Sequence, residues 1–178
     1  MRMATVCTAL PVNSLNVNRS EFPVSADVIP RVITSIHIAL ATKLPMREVE
    51  SAQVTAGRGI VGDRYEGTRH RHVSIQSEGE LAEASERLGA PIDRGLTRRN
   101  VTVTGGELPR KPGTRLQLGE VELEVVRNAA PCRIMDFEVA EGARAALRRR
   151  GGVICRVLSD GSFSVGDAAE IPDSEPIT

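Results

Sequence analysis

Three cysteines stand in a chain of 178 residues, Cys7, Cys132 and Cys155, and one of them is set where a sulfur could react. Cys132 directly follows Pro131, which itself comes just after Val121-Glu122-Leu123-Glu124-Val125-Val126. That run alternates apolar and acidic residues, the period of a strand with one buried face. Proline cannot donate a ladder hydrogen bond, so pairing should stop there and leave the thiol just past a strand end. Arg133 follows at once, and Arg127 closes the strand. Cations beside a thiol favour the thiolate, the form that acts as nucleophile and soft metal ligand. The competing reading is a small buried hydrophobe, as most free cysteines are. Cys155, in the middle of the apolar run Val153–Leu158, fits that reading, and Cys7 is given no role.

Two other stretches carry groups that could bind something. Gly57-Arg58-Gly59-Ile60-Val61-Gly62-Asp63-Arg64-Tyr65-Glu66-Gly67 holds four glycines, which implies unusual backbone angles and close main-chain approach. It lacks the Gly-Lys-Ser/Thr ending of a phosphate-binding loop and is not followed by the strong helix of a dinucleotide fingerprint. Asp63 and Arg64 read equally as a turn pair or as an anion-binding arginine held by a carboxylate. Leu96-Thr97-Arg98-Arg99-Asn100 precedes the strand Val101–Thr104. It reads either as a solvated basic turn or as a clamp for phosphate or a planar ring, which guanidinium forks suit.

The elements that must position these groups are many and short. Val32–Ile38 alternates and predicts a strand with His37 on its wetter face, and Glu48–Thr55 is a weaker strand. Val73–Gln76 predicts another strand after the basic loop Thr68–His72. Ser77-Glu78-Gly79-Glu80 fits a reciprocal capping box for a helix running to Leu88, with Gly89 as its stop. Thr114–Leu118 and Val121–Val126 predict a hairpin about Gly119-Glu120. Phe137–Arg150 reads as one short helix with Ala143, Ala146 and Leu147 inward. After Gly151-Gly152, the strand Val153–Leu158 turns at Asp160-Gly161 so that Phe163–Val165 pairs back, with a last strand near Ile171. Many short strands, two helices and abundant Gly and Pro turns predict a mostly β (α+β) fold, a closed β-barrel with packed helices. Residues 1–28 read as a poorly ordered tail, 29–172 as one domain and 173–178 as a second tail.

Composition narrows the function. Lysine plus arginine and aspartate plus glutamate number 23 each, so no bulk charge argues for nucleic acid or a membrane surface. With no tryptophan, one tyrosine and three phenylalanines there is little to stack on bases. No paired Cys or His spacing suggests zinc, and the odd, sparse cysteine count suits a reducing compartment, so the expectation is cytoplasmic.

Taken in order, strand, Gly-Ile-Val-Gly-Asp-Arg, His-Val-Ser-Ile-Gln-Ser before a helix, Arg-Arg-Asn-Val-Thr-Val, Pro-Gly-Thr-Arg-Leu-Gln-Leu-Gly, Pro-Cys and Arg-Gly-Gly-Val-Ile-Cys-Arg-Val-Leu resemble the MOSC domain, named for the C-terminal domain of molybdenum-cofactor sulfurases. The resemblance spans about residue 32 to residue 171. It implies a β-barrel and a cysteine that handles molybdenum cofactor or sulfur, which by position is Cys132. It further implies cofactor-binding roles for Asp63, Arg64, His72, Ser74, Arg98, Arg99 and Asn100, around a molybdenum cofactor (molybdopterin) with Cys132 as metal ligand. The function it implies is reduction of an N-hydroxylated or N-oxide small-molecule substrate, with electrons from a partner protein. The alternative is a carrier of sulfur, as a Cys132 persulfide supplied by a cysteine-desulfurase partner, or of the cofactor itself. Pyridoxal-phosphate binding, a label attached to fused relatives, finds no Schiff-base setting at the two lysines, Lys43 and Lys111. The chemistry is coherent: a metal held by a pterin dithiolene accepts a soft thiolate, and the pterin's phosphate and flat ring suit arginine and an amide.

Overall fold

A computed structural model describes residues 31–172. The expected tails, and Cys7 with them, lie outside these residues. The eleven strands and three short helices run in the order β1 (Arg31–Ile38), β2 (Arg47–Val49), β3 (Ser51–Thr55), β4 (Gly59–Ile60), β5 (Val73–Ser77), α1 (Glu78–Leu88), β6 (Val101–Val103), β7 (Arg115–Leu118), β8 (Val121–Asn128), α2 (Ile134–Glu138), α3 (Ala143–Ala146), β9 (Val153–Val157), β10 (Gly161–Ser164) and β11 (Ala168–Glu170). Seven strands form one sheet in the order β11-β7-β8-β9-β5-β6-β1, with β2 added beside β1. Arg31 and Val32 of β1 pair with Ala169 and Ala168 of β11, and that pairing closes the sheet into a barrel. The predicted β-barrel is therefore present.

Closure follows from the alternation. Val121, Leu123 and Val125 of β8 are buried, whereas Glu122 and Glu124 between them are half-buried. These inward residues join Ile33, Val73, Ile75, Val101, Val103, Leu118, Cys155 and Phe163 in one aliphatic core. Burial pushes the Cys155 thiol up, well away from reactivity. All the barrel pairings are antiparallel except β5–β6, where a parallel step requires a crossover, and α1 supplies it. A second core of Leu81, Ala84, Met135, Ala143 and Leu147 lies between α1 and the short helices α2 and α3.

Several expectations need correction. The Glu48–Thr55 strand is two strands, β2 and β3, that pair with different partners. The single helix over Phe137–Arg150 is two, because Gly142 takes a left-handed conformation (φ +87°) and interrupts it. Ala143, Ala146 and Leu147 do face inward, but Phe137 is 73% exposed. β10 does not pair back on β9. It crosses to a separate three-stranded sheet, β10-β3-β4, and sets Phe163 opposite Ala52. His37 is buried, not on a wet face, because β2 and the loop at Gly95 cover it, and burial lowers its pKa. The capping box forms by half. Ser77 Oγ accepts the Glu80 N–H at 3.2 Å, while the Glu80 carboxylate is taken by Arg110 from the loop before β7.

Two predictions arise here. Gly152 has φ +80°, and a Cβ there would run into the Ile75 carbonyl across the β5–β9 pairing. Gly152→Ala should therefore cost about 3 kcal/mol of stability by urea unfolding, from positive-φ strain and the backbone clash together. At Glu80, desolvation outweighs Arg110 and pushes the carboxyl up to about 7. A folded-state value above the ordinary carboxylate one means the folded protein holds a proton that the unfolded chain has released. Stability should then be greatest below about pH 4.5 in this contribution and fall as pH rises to and through 7. Glu80→Gln should flatten that fall, measured as unfolding free energy between pH 5 and 8.

Candidate functional site

β8 carries the chain to the site and the barrel wall lets it go there. Val125 pairs with Cys155 and Arg127 with Ile154, so Val126 is an extra residue, a bulge that bends the strand end. Asn128 pairs with Val153, Ala129 N–H donates to the Gly152 carbonyl at 2.9 Å, and regular pairing stops before Pro131, as its chemistry requires. Cys132 follows and is exposed. Its carbonyl accepts the Met135 N–H at 3.0 Å, so the residue joins the end of the barrel wall to the start of α2.

Beneath this loop lies Arg99. It is 6% exposed, so the solvated-turn reading fails. Its three guanidinium nitrogens each donate to a carbonyl: Nε to Gly151 at 2.6 Å, Nη1 to Thr97 at 3.2 Å and Nη2 to Ala129 at 2.9 Å. Two of those carbonyls belong to the segments on either side of α2 and α3, so one buried cation ties both ends of the cysteine-bearing excursion together. Burial lowers its pKa to about 10, with Arg71 pushing the same way, yet the group stays protonated at neutral pH. Cys132, Arg64, Arg71 and Tyr65 all lie within its electrostatic reach.

The neighbouring residues are equally occupied. Arg98 holds a left-handed backbone (φ +61°), an uncommon state for a bulky side chain. Its side chain donates to the carbonyls of Thr42 and Leu44 and pairs with Glu138 of α2 at 3.1 Å. Asn100 is fully spent: its oxygen accepts from the Ser74 N–H and hydroxyl, and its amide nitrogen donates to the His37 carbonyl and to Asp63. Asp63 is the turn-forming member of its pair, because its carboxylate also accepts the backbone N–H groups of Ala39 and Tyr65. His72 is buried and burial lowers its pKa. Its Nδ1 accepts the Val157 N–H, which puts the proton on Nε2 and directs it to the Thr68 carbonyl. The structure thus places Ser74, Asn100 and Asp63 in one buried hydrogen-bonded frame, while His72 braces Thr68 and Val157 separately.

Sequence reasoning missed Tyr65 and Arg71. The Arg71 guanidinium lies over one face of the Tyr65 ring at 3.9 Å, and that of Arg64 also lies over the ring at 4.7 Å. Arg64 further donates to Met46 Sδ and to the Arg98 carbonyl. The signal was present in the basic run Arg69–His72, but only the fold puts Arg71 over the Tyr65 ring. Among the described residues no three His, Cys, Asp or Glu side chains gather to hold a metal ion. No helix among them is long and apolar enough to cross a membrane.

The sequence matches the MOSC domain over residues 62–170. No curated protein matches it. Among solved structures the chain is similar to the YuaD protein of Bacillus subtilis, at 20% identity and a TM-score of 0.72, covering 81% of this chain and 96% of that one. It is also similar to YiiM from Geobacillus stearothermophilus, at 18% identity and a TM-score of 0.64 over 80% of this chain and 75% of that one. For YiiM from Escherichia coli the values are 16% and 0.57 over 81% and 71%.

Proposed function

Since the chain belongs to the MOSC domain family, we propose that it binds a molybdenum cofactor through Cys132 and serves to reduce N-hydroxylated or N-oxide compounds, with electrons from a partner protein. The observation that supports this reading is the exposed Cys132 thiol on a loop anchored by the buried Arg99 guanidinium.

The residues present fit the group. A metal carried by a pterin dithiolene would bring ligands of its own, so the protein need supply one soft donor and a cationic setting for the anionic remainder. Cys132 is that donor. The orphaned, buried Nε atoms of Arg64 and Arg71 leave donor capacity that no described protein group uses. When bound, the molybdenum would supply two-electron redox chemistry. The chain's own residues do the positioning. Arg99 fixes the loop so that the thiol is held outward, the Asn100–Asp63–Ser74 frame keeps the Arg98–Arg99 turn in place, and Glu138 with Arg98 fastens the end of α2. Asn100 acts here through the frame, since its amide has no donor left to offer a ring.

The test is expression of the full chain in a host that makes the cofactor, followed by elemental analysis. About one molybdenum per chain is expected, with reduction of a hydroxylamino base by the loaded protein given a chemical reductant. Loaded protein without turnover would make it a carrier. Metal-free protein from a host whose other molybdenum enzymes are loaded would end the proposal.

A further inference from the structure

Phe137 is left in water. It is 73% exposed on α2, in a chain of three phenylalanines, while Phe163 is sealed in the core. One exposed apolar side chain needs no explanation, but this one is not alone. Ile134 stands one turn earlier on the same helix and is exposed too. Leu40 and Leu44, on the loop between β1 and β2, are also exposed. A single guanidinium fastens that loop to α2. Arg98 Nη2 donates to the Thr42 and Leu44 carbonyls, and its Nη1 pairs with Glu138, the neighbour of Phe137. Four of the eight large apolar side chains exposed among the described residues thus sit on two segments tied together by Arg98. The face they form borders the exposed thiol, since the Cys132 carbonyl accepts the Met135 N–H at the start of α2.

The rim of this face has one sign. Arg133 lies over the Phe137 ring at 5.5 Å, and Arg144 is held against α2 by its backbone N–H, which donates to Asp136 at 2.9 Å. Lys43 adjoins Leu44 in the loop, and all three cations are exposed. The carboxylates of α2 are already engaged, Asp136 by that N–H and Glu138 by Arg98. An apolar centre with a cationic rim is complementary to a protein that presents apolar area ringed by carboxylates. The charges speed and orient the encounter, and the covered aromatic holds the complex. A face built on four side chains suits the small, transient interfaces of electron carriers. Three cations are fewer than the cluster that an anionic lipid surface recruits.

We propose that Phe137 and Ile134 of α2, with Leu40 and Leu44 of the β1–β2 loop, form the docking face for an electron-carrier protein of acidic surface. The carrier's role as electron donor rests on the reduction reading above, but docking itself is tested without metal.

The chain has two lysines, Lys43 and Lys111, so a carbodiimide, which joins a carboxylate to an amine as an amide, reports docking at a known place. The full chain is mixed with a flavodoxin or a plant-type ferredoxin, both acidic, or with basic cytochrome c, and the joined peptides are read by mass spectrometry. Lys43 should be joined to the acidic carriers at least about tenfold more than Lys111 and not to cytochrome c, with a yield that falls as salt rises. Phe137→Ala should weaken carrier binding about thirtyfold, as truncation of a central aromatic does. Arg144→Glu should slow association and leave dissociation nearly unchanged. Both side chains are exposed, so the unfolding midpoint should not move. Joining at Lys111 alone or at neither lysine, or binding unchanged in both variants, would overturn the docking face. Binding to vesicles of anionic lipid that is lost in Phe137→Ala would overturn it in favour of a membrane, and self-association lost in that variant in favour of a second copy. Loaded protein separates this face from the function. Phe137→Ala should keep its rate with a chemical reductant and lose about thirtyfold with limiting carrier. Docking without molybdenum uptake would end the cofactor proposal and keep the face. Carrier-driven turnover indifferent to Phe137 would keep the function and remove the face.

Discussion

Cys132→Ser should leave the protein as stable as before and strip it of molybdenum. The two halves of that result have separate causes. The side chain is exposed, and the hydrogen bond the residue contributes runs from its carbonyl to the Met135 N–H, which serine keeps. Surface substitutions of this kind move stability by about 0.5 kcal/mol or less. The metal responds otherwise. Serine presents a hard hydroxyl that stays protonated at neutral pH, where the cofactor's metal takes a soft thiolate. Metal per chain should fall to the background of an unrelated protein from the same host, with an unchanged unfolding midpoint. Molybdenum retained at full occupancy would show that the group is held without this sulfur.

Arg99→Ala should do the reverse and strike the fold first. Taken as an open clamp, Arg99 would lose ligand affinity and little else. Its burial changes the expectation. Removal leaves the carbonyls of Thr97, Ala129 and Gly151 without their donor, in a place water does not reach. Each buried unsatisfied carbonyl costs about 1–3 kcal/mol, and some of the loop will relax to meet water, so a net loss of about 3–5 kcal/mol is expected by urea unfolding. Arg99→Lys should recover a minority of it, because one ammonium cannot reach three carbonyls held by a planar fork. A loss below about 1 kcal/mol in the alanine variant would mean the loop does not lean on this residue.

These two residues also mark how much was legible in the sequence. The place of Cys132 past a strand end could be read because its signals are local: an alternating strand, a proline that must end it, and cations next in the chain. The barrel was legible for the same reason, since period-two burial and Gly-Pro punctuation are properties of neighbouring residues. The family pattern could be read because its short motifs keep their order along the chain. Arg99 was singled out with the wrong surroundings. Nothing in Thr97-Arg98-Arg99-Asn100 says whether a guanidinium meets solvent, a ligand or the carbonyls of Ala129 and Gly151, which stand some thirty and fifty positions away. Phe163 shows the same limit: the Asp160-Gly161 turn was evident, but the choice of β3 as partner depended on which sheet edge was open.

What the sequence alone determined, then, is a strand-rich barrel and a thiol placed at the end of a strand, because both follow from alternation and from proline's missing donor. What only the tertiary structure decided is which polar groups are spent and which are left over. Asn100 and His72 turned out to be braces, while Arg64 and Arg71 each keep a buried Nε without a hydrogen-bond partner, because hydrogen-bond partners across a closed sheet are set by register and burial. A buried donor must find an acceptor wherever the fold offers one, and that supply is fixed after the chain has closed on itself.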